Sequence, residues 1–308
     1  MRFTFAPMEG ITSYIYRNAF QEYYGGVEAY YTPFISNVSF SHKEKNEILP
    51  EHNKGLRVIP QILSNNADHF LAITKKLANL GYDEVNLNLG CPSGTVVAKR
   101  RGAGFLYVPD ELDAFLDKVY EQSPLPISIK TRIGMNSTDE WEGILDIFRQ
   151  YPVKELIVHP RIKKELYNGE PHIDAYKKAA ESLPFPVAYN GDITDEAGYK
   201  RLLEAAPDTS CVMIGRGLLR NPELALILSG SEPAYDRKRF QAFHDRIFDE
   251  YKEEMSGDTP LLFHMKELML YMCDYLKADE KTVKRIRKTG SLAEYRSIVY
   301  GLTREARL

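Results

Sequence analysis

Cysteine is scarce in this chain: Cys91, Cys211 and Cys273 are the only three in 308 residues. They are odd in number and far apart, with no C-x-x-C pair and no histidine at ligand spacing, so neither a disulfide framework nor a zinc site is indicated and no metal is expected. No apolar run approaches the roughly 18–20 residues that span a bilayer. The opening segment, MRFTFAPMEG, lacks the long apolar stretch and small-residue cleavage site of a secretory signal. A cytoplasmic protein without membrane contact or obligatory protein partner is expected. Neither charge sign dominates, the net charge being −3, so the overall balance does not by itself point to nucleic acid. The distribution is uneven, however: Lys277 to Leu308 holds nine Lys or Arg against four Asp or Glu.

What is present is a large apolar fraction, 44%, enough for one sizeable core with a smaller satellite. Short β-branched or aromatic runs recur at Phe3–Ala6, Glu28–Tyr31, Arg57–Leu63, Glu84–Asn88, Ile127–Lys130, Glu155–His159, Val187–Asn190 and Cys211–Ile214. Stretches with helical apolar spacing lie between most of them, as at Ala67–Leu80, Asp110–Tyr120, Trp141–Gln150, Ala175–Leu183 and Asp195–Ala205. The alternation argues for parallel strands joined by crossover helices. The polar stretch Ser36–Asn53 reads as an irregular connection with at most a short helix. An open doubly wound sheet would use the same alternation, but eight strands within about 215 residues favour a closed barrel. After Pro222 the strand signal stops, and helices are expected at Arg237–Glu254, Pro260–Leu276, Lys281–Arg287 and Ser291–Glu305. The expected fold is α/β: a (β/α)8 TIM barrel over residues 1–235 and an all-helical C-terminal domain over 236–308.

Chemically versatile residues gather where the strands end, at the C-terminal mouth where barrel enzymes place catalysis. Pro7, Met8 and Glu9 follow the first strand, and Gln61 ends the third. The fourth delivers Asn88 and Cys91; the fifth, Lys130 and Arg132; the sixth, His159 and Arg161. Asn190-Gly191-Asp192 and Gly215-Arg216-Gly217 follow the last two, the usual place for a phosphate cup, with glycines for close backbone approach and Arg216 for a fork of donors. Lys130 ends an apolar strand, which would deliver its ammonium to the mouth, where a fixed cation can stabilise negative charge. Cys91 precedes Pro92 on a tight turn and reads as an exposed thiol, an acid or nucleophile. Cys211 and Cys273 lie in apolar runs and read as packing residues. Lys99-Arg100-Arg101 followed by Gly102-Ala103-Gly104 reads as a flexible basic loop.

Taken together, Ala6-Pro7-Met8-Glu9-Gly10, the Asn-x-Asn-x-Gly-Cys-Pro-Ser segment ending at Ser93, Ile129–Gly134, Val158–Arg161, Asn190–Ile193 and Val212–Gly217 resemble the tRNA-dihydrouridine synthases. The resemblance runs in order through the barrel, and that family also carries a C-terminal helical domain. It implies FMN as cofactor, NADPH as reductant and tRNA as partner. It places Pro7, Met8, Glu9, Gln61, Lys130 and His159 at the flavin ring, and Asn190, Gly191, Asp192, Gly215 and Arg216 at its phosphate. Cys91 would give a proton to carbon 5 of a uridine drawn from its stack, while Asn88, Arg132 and Arg161 orient the base. Two departures stand out: Gly94-Thr95 where a Lys or Arg is usual, and Pro160 where a small residue is more common. Lys281, Lys284, Arg285, Arg287 and Lys288 form a basic helical run that could meet the RNA backbone, or could be a solvated face. A flavin-dependent reductase or dehydrogenase of a free pyrimidine uses similar parts; the helical domain and His159-Pro160-Arg161 favour the tRNA enzymes. A catalytically silent RNA binder is disfavoured by the intact Cys91 and Lys130.

Overall fold

In the computed structural model, which describes residues 1–305, nine short strands pair in parallel throughout. They are β1 (Arg2–Phe5), β2 (Ala29–Tyr31), β3 (Val58–Ile59), β4 (Gln61–Ile62), β5 (Val85–Leu89), β6 (Ile127–Arg132), β7 (Leu156–His159), β8 (Val187–Tyr189) and β9 (Cys211–Ile214). The pairing order is β3-β2-β1-β9-β8-β7-β6-β5-β4. Its two ends, β3 and β4, are one stretch of chain divided by Pro60. Proline has no N–H to give to a ladder, so the single stave anticipated at Arg57–Leu63 breaks there. Its first half pairs with β2 and its second with β5, while the Pro60 carbonyl still accepts from Asn86 N at 2.9 Å. That divided stave closes the sheet, and the fold is an eight-stave TIM barrel.

The pleat then sorts side chains. In β5, Val85, Leu87 and Leu89 join the apolar layer between strands and helices, leaving Asn86 and Asn88 to the barrel interior. In β6, Ile127 and Ile129 face the outer layer, and Ser128, Lys130 and Arg132 take the other face. A second, smaller apolar cluster, including Tyr31, Ile59, Ile157, Ala188, Cys211 and Met213, fills the interior below the mouth. Cys211 is buried there, and Cys273 packs in the outer core among the helices, as their apolar settings suggested.

Around the barrel, the helices foreseen between strands are present, with bounds moved by a few residues. Four helices, Tyr14–Tyr23, Gly94–Val97, Arg216–Arg220 and Leu224–Leu228, were not anticipated. The Ser36–Asn53 connection holds the helix His42–Ile48, started by a capping box in which Ser41 and Glu44 satisfy each other's backbone N–H groups. Residues Gly102–Tyr107 correct the expectation of a flexible loop. They form a 3-10 turn buried from Gly102 to Leu106 and packed closely: a Cβ on Gly102 would lie 2.8 Å from the Cys91 carbonyl oxygen, and one on Gly104 would lie 2.8 Å from that of Val97. The glycines allow two pieces of backbone to touch, which fixes the segment.

Beyond Asp236, helices Arg237–Glu254, Asp258–Met272, Glu280–Lys288 and Leu292–Glu305 continue the same apolar core. The first lies along Tyr14–Tyr23, with the Phe243 ring edge-on to Tyr16 and Tyr24 at 5.6 and 5.2 Å. Residues 306–308 of the expected helical domain lie outside the described residues. No helix among the described residues is long and apolar enough to cross a membrane.

Candidate active site

A cavity of about 460 Å³ opens at the C-terminal ends of the strands, within the roughly 300–1,000 Å³ common for ligand clefts. Of the residues singled out in sequence, Pro7, Met8, Glu9, Gln61, Asn88, Cys91, Lys130, Arg132, His159, Asn190, Gly191, Asp192, Gly215 and Arg216 all line it. Arg161 does not. Its side chain is fully buried behind the wall, where it donates to the Asn168 carbonyl at 3.2 Å, to Gly169 O and, at 2.6 Å, to Asp192 Oδ2. In this arrangement Arg161 anchors the 161–172 loop and the Asp192 carboxylate.

Below the cavity runs a ladder of amides. Asn86 Nδ2 donates to Ser128 Oγ at 3.0 Å, Gln61 Nε2 to Asn86 Oδ1 at 2.8 Å, and Asn88 Nδ2 to Gln61 Oε1 at 2.6 Å. Asn88 Oδ1 then accepts from the backbone N–H groups of Gly90 and Cys91, at 3.0 and 2.9 Å. The Asn-x-Asn-x-Gly-Cys spacing thus has a mechanical sense. The pleat aims both asparagines inward, and the second holds the turn that carries the thiol. Buried amides satisfied on both sides make a rigid mount.

The thiol itself is half-buried, which corrects the exposed group expected from the turn. Residues 102–104 close over its backbone. Burial raises its pKa, partly offset by the Ser93 backbone N–H and the Lys130 charge, so Cys91 carries its proton at neutral pH.

On the neighbouring strand Lys130 forms no ion pair among the described residues. Burial, with Arg132 adding like charge, brings its pKa down to about 7. His159 is pushed well below the ordinary imidazole value, first by burial and then by Arg132, Lys130, Arg161 and Arg216. It is neutral at physiological pH.

At the far wall Asp192 sits between Arg161 and Arg216. Burial would raise its pKa, but the two guanidiniums overcome this and keep it ionised. Gly217 packs where nothing larger fits: a Cβ there would lie 2.1 Å from Ile193 O and 2.9 Å from Leu224 Cδ2. Gly217→Ala should therefore cost about 3 kcal/mol or more, the upper range of overpacking, seen as a lower melting temperature. An unchanged melt would contradict the contact.

These observations match a known family. The dihydrouridine synthase family model matches residues 4–297. The chain belongs to the dihydrouridine synthase family. Among relatives, tRNA-dihydrouridine synthase B of Pasteurella multocida (strain Pm70) is 29% identical over 230 residues, covering 74% of this chain and 68% of that one. A probable tRNA-dihydrouridine synthase of Staphylococcus aureus (strain Mu50 / ATCC 700699) is 30% identical over 235 residues, covering 71% and 69%. In a solved structure, morphinone reductase superposes with a TM-score of 0.50 at 12% identity, covering 78% of this chain and 88% of that one, a likeness of fold. Membership makes the protein a flavin-dependent oxidoreductase, and dihydrouridine differs from uridine by the two hydrogens such a reaction adds.

Three residues on the dihydrouridine synthase cavity wall had no signal in the sequence. Tyr167, more than half exposed, comes from the loop that Arg161 anchors and that Pro160 closes by accepting from His172 N at 2.7 Å. The guanidiniums of Arg216 and Arg132 lie over its ring, at 4.6 and 5.4 Å from the centroid. Glu267 and Tyr271 come from helix Asp258–Met272, so the C-terminal helices complete the barrel's cavity. Their spacing shows only that they share a helix face; that the face meets the mouth is decided by packing. Among the described residues no cluster of His, Cys, Asp and Glu is arranged to hold a metal.

Proposed function

We propose that this protein reduces specific uridines of tRNA to 5,6-dihydrouridine in the cytoplasm, with FMN as cofactor and NADPH as reductant. The supporting observation is a pair lining one cavity: a protonated thiol at Cys91, on the turn that follows β5, and an amine without a carboxylate partner at Lys130 on the adjacent β6.

The residues suit the cofactor. Asn190, Gly191, Asp192, Gly215 and Arg216 would hold the phosphate, and Asp192 keeps Arg216 oriented toward the cavity. Pro7, Met8, Glu9, Gln61, Lys130 and His159 would border the ring. Lys130 offsets negative charge there, and a neutral His159 offers a hydrogen bond without adding to that charge. FMN supplies a hydride when bound. Cys91 then gives its proton to carbon 5 of the uracil, and Asn88 Oδ1, accepting from the Cys91 backbone N–H, keeps the turn that carries the thiol in place. Asn88 and Arg132 orient the base from the wall. Arg161 acts on it through Asp192 and the Tyr167 loop.

Residues 1–235 serve as the catalytic barrel and 236–308 as the RNA-holding unit. Lys281, Lys284, Arg285, Arg287 and Lys288 are all exposed on helix Glu280–Lys288 and suit contact with phosphates. Neutralising Lys284, Arg285 and Arg287 should weaken tRNA binding and flatten its dependence on salt by up to about three phosphate contacts, each worth a slope of about 0.9. An unchanged slope would leave the helix as a solvated face.

The function itself is tested by incubating purified protein with NADPH and unmodified tRNA, then mapping dihydrouridine by mass spectrometry. Free uracil and orotate serve as controls. Dihydrouridine at a defined position is expected. Reduction of the free pyrimidine with untouched tRNA would overturn the RNA reading and keep the flavin.

A further inference from the structure

Helix Asp258–Met272 turns two faces to different surroundings. Leu261, Leu262, Met265, Leu268, Met269 and Met272 enter the core. Phe263, Glu267 and Tyr271, at i, i+4 and i+8, make a separate stripe. The last two line the barrel cavity, and Phe263, one turn out, is 64% exposed. A single exposed phenylalanine is ordinary on a protein surface. This one lies on a line leading out of the cavity, and its other neighbour is cationic. Lys266 Nζ sits 5.6 Å from the ring centroid and donates to the Thr289 carbonyl at 2.8 Å. Thr289 directly follows the last turn of the basic helix, which carries Arg285, Arg287 and Lys288. The order along the surface is therefore cavity, carboxylate and phenol, open aromatic ring, cations.

We propose that Phe263 is the stacking platform for the nucleotide adjoining the one that enters the cavity. The inference rests on the tRNA reading above. A strand whose target base has left its stack leaves the next base without a partner on that side, and an aromatic face restores the contact whatever the base is. One helical turn, about 5.4 Å, separates Phe263 from the cavity wall, a distance comparable to the step between nucleotides in an unstacked strand. The cations beyond match the phosphates of the same strand. Glu267, a carboxylate at the outer edge of the cavity, is suited to accept from a ribose hydroxyl or a base N–H and to turn phosphate away.

The test compares the wild-type holoenzyme with Phe263→Ala and Phe263→Trp on unmodified transcribed tRNA. KM and kcat are measured for dihydrouridine formation, and flavin reduction by NADPH is measured without RNA. Loss of one base–aromatic stack corresponds to about 5- to 150-fold in affinity. Phe263→Ala is expected to raise KM for tRNA within that range and leave flavin reduction unchanged, with Phe263→Trp restoring KM. The salt dependence of binding should not move, since no charge is lost. An unchanged KM in Phe263→Ala overturns the proposal. So does a parallel loss of flavin reduction or of melting temperature, which would make Phe263 a structural residue. If the wild type itself forms no dihydrouridine in tRNA but reduces a free pyrimidine, the underlying reading has failed, and the platform with it.

Discussion

Replacing Cys91 by alanine should lower the rate of dihydrouridine formation by about 10²–10⁴-fold, the range for losing a positioned general acid. Reduction of the flavin by NADPH should proceed at the wild-type rate, because that half of the reaction needs no proton from the thiol. Stopped-flow spectroscopy separates the two: bleaching of the flavin is unchanged, and its reoxidation by tRNA is slowed. The pH profile adds a second check. An acid must hold its proton, and burial raises the Cys91 pKa above the ordinary thiol value, which is about 8.5. The tRNA-dependent step should persist through neutral pH and decline only above that value. Wild-type turnover by Cys91→Ala with full flavin occupancy would remove the thiol from the mechanism.

Lys130→Met should move stability and activity in opposite directions. The folded lysine titrates near pH 7, against about 10.4 in an unfolded chain. Between those values the unfolded state holds more protons, so the Lys130 contribution to stability rises with pH. Well below pH 7 the destabilisation is complete, since both states are protonated and only the folded one confines the charge. Flavin-free Lys130→Met should accordingly melt higher than the flavin-free wild type at pH 7. The difference should shrink as pH rises and vanish near pH 10.4. Turnover should fall by about 10²–10³-fold, as for the loss of one preorganised charge-stabilising group. Equal melting temperatures at neutral pH would mean that Lys130 is hydrated and unstrained. A gain in stability with no loss of turnover would mean that it is not used in the reaction.

The barrel was legible because its signals are local. A run of four or five β-branched or aromatic residues followed by a helical period identifies a βα unit without reference to anything distant, and eight such units imply closure. The placement of Gln61, Asn88, Cys91, Lys130 and His159 at one mouth follows from the same reading, since every strand of a parallel barrel ends on the same side. The basic run on helix Glu280–Lys288 was visible for the same reason, since charge is a property of the residues themselves.

What the sequence by itself determined is the (β/α)8 architecture, the helical continuation and the set of side chains delivered to the mouth, because strand period, pleat and strand end are short-range properties of the chain. Tertiary structure alone decided how those side chains are used. Asn88 meets Gln61 across 27 positions and Arg161 meets Asp192 across 31. Those contacts make Asn88 part of the mount for Cys91 while it still lines the cavity, and set Arg161 behind the cavity wall. Packing also turned a supposed loose loop into the cover over the thiol, brought Tyr167 beneath two guanidiniums, and laid Glu267 and Tyr271 of a C-terminal helix along the barrel mouth. The physical reason is that hydrogen bonds, burial and charge–charge coupling depend on distances across the fold, which close-packing of the whole core sets.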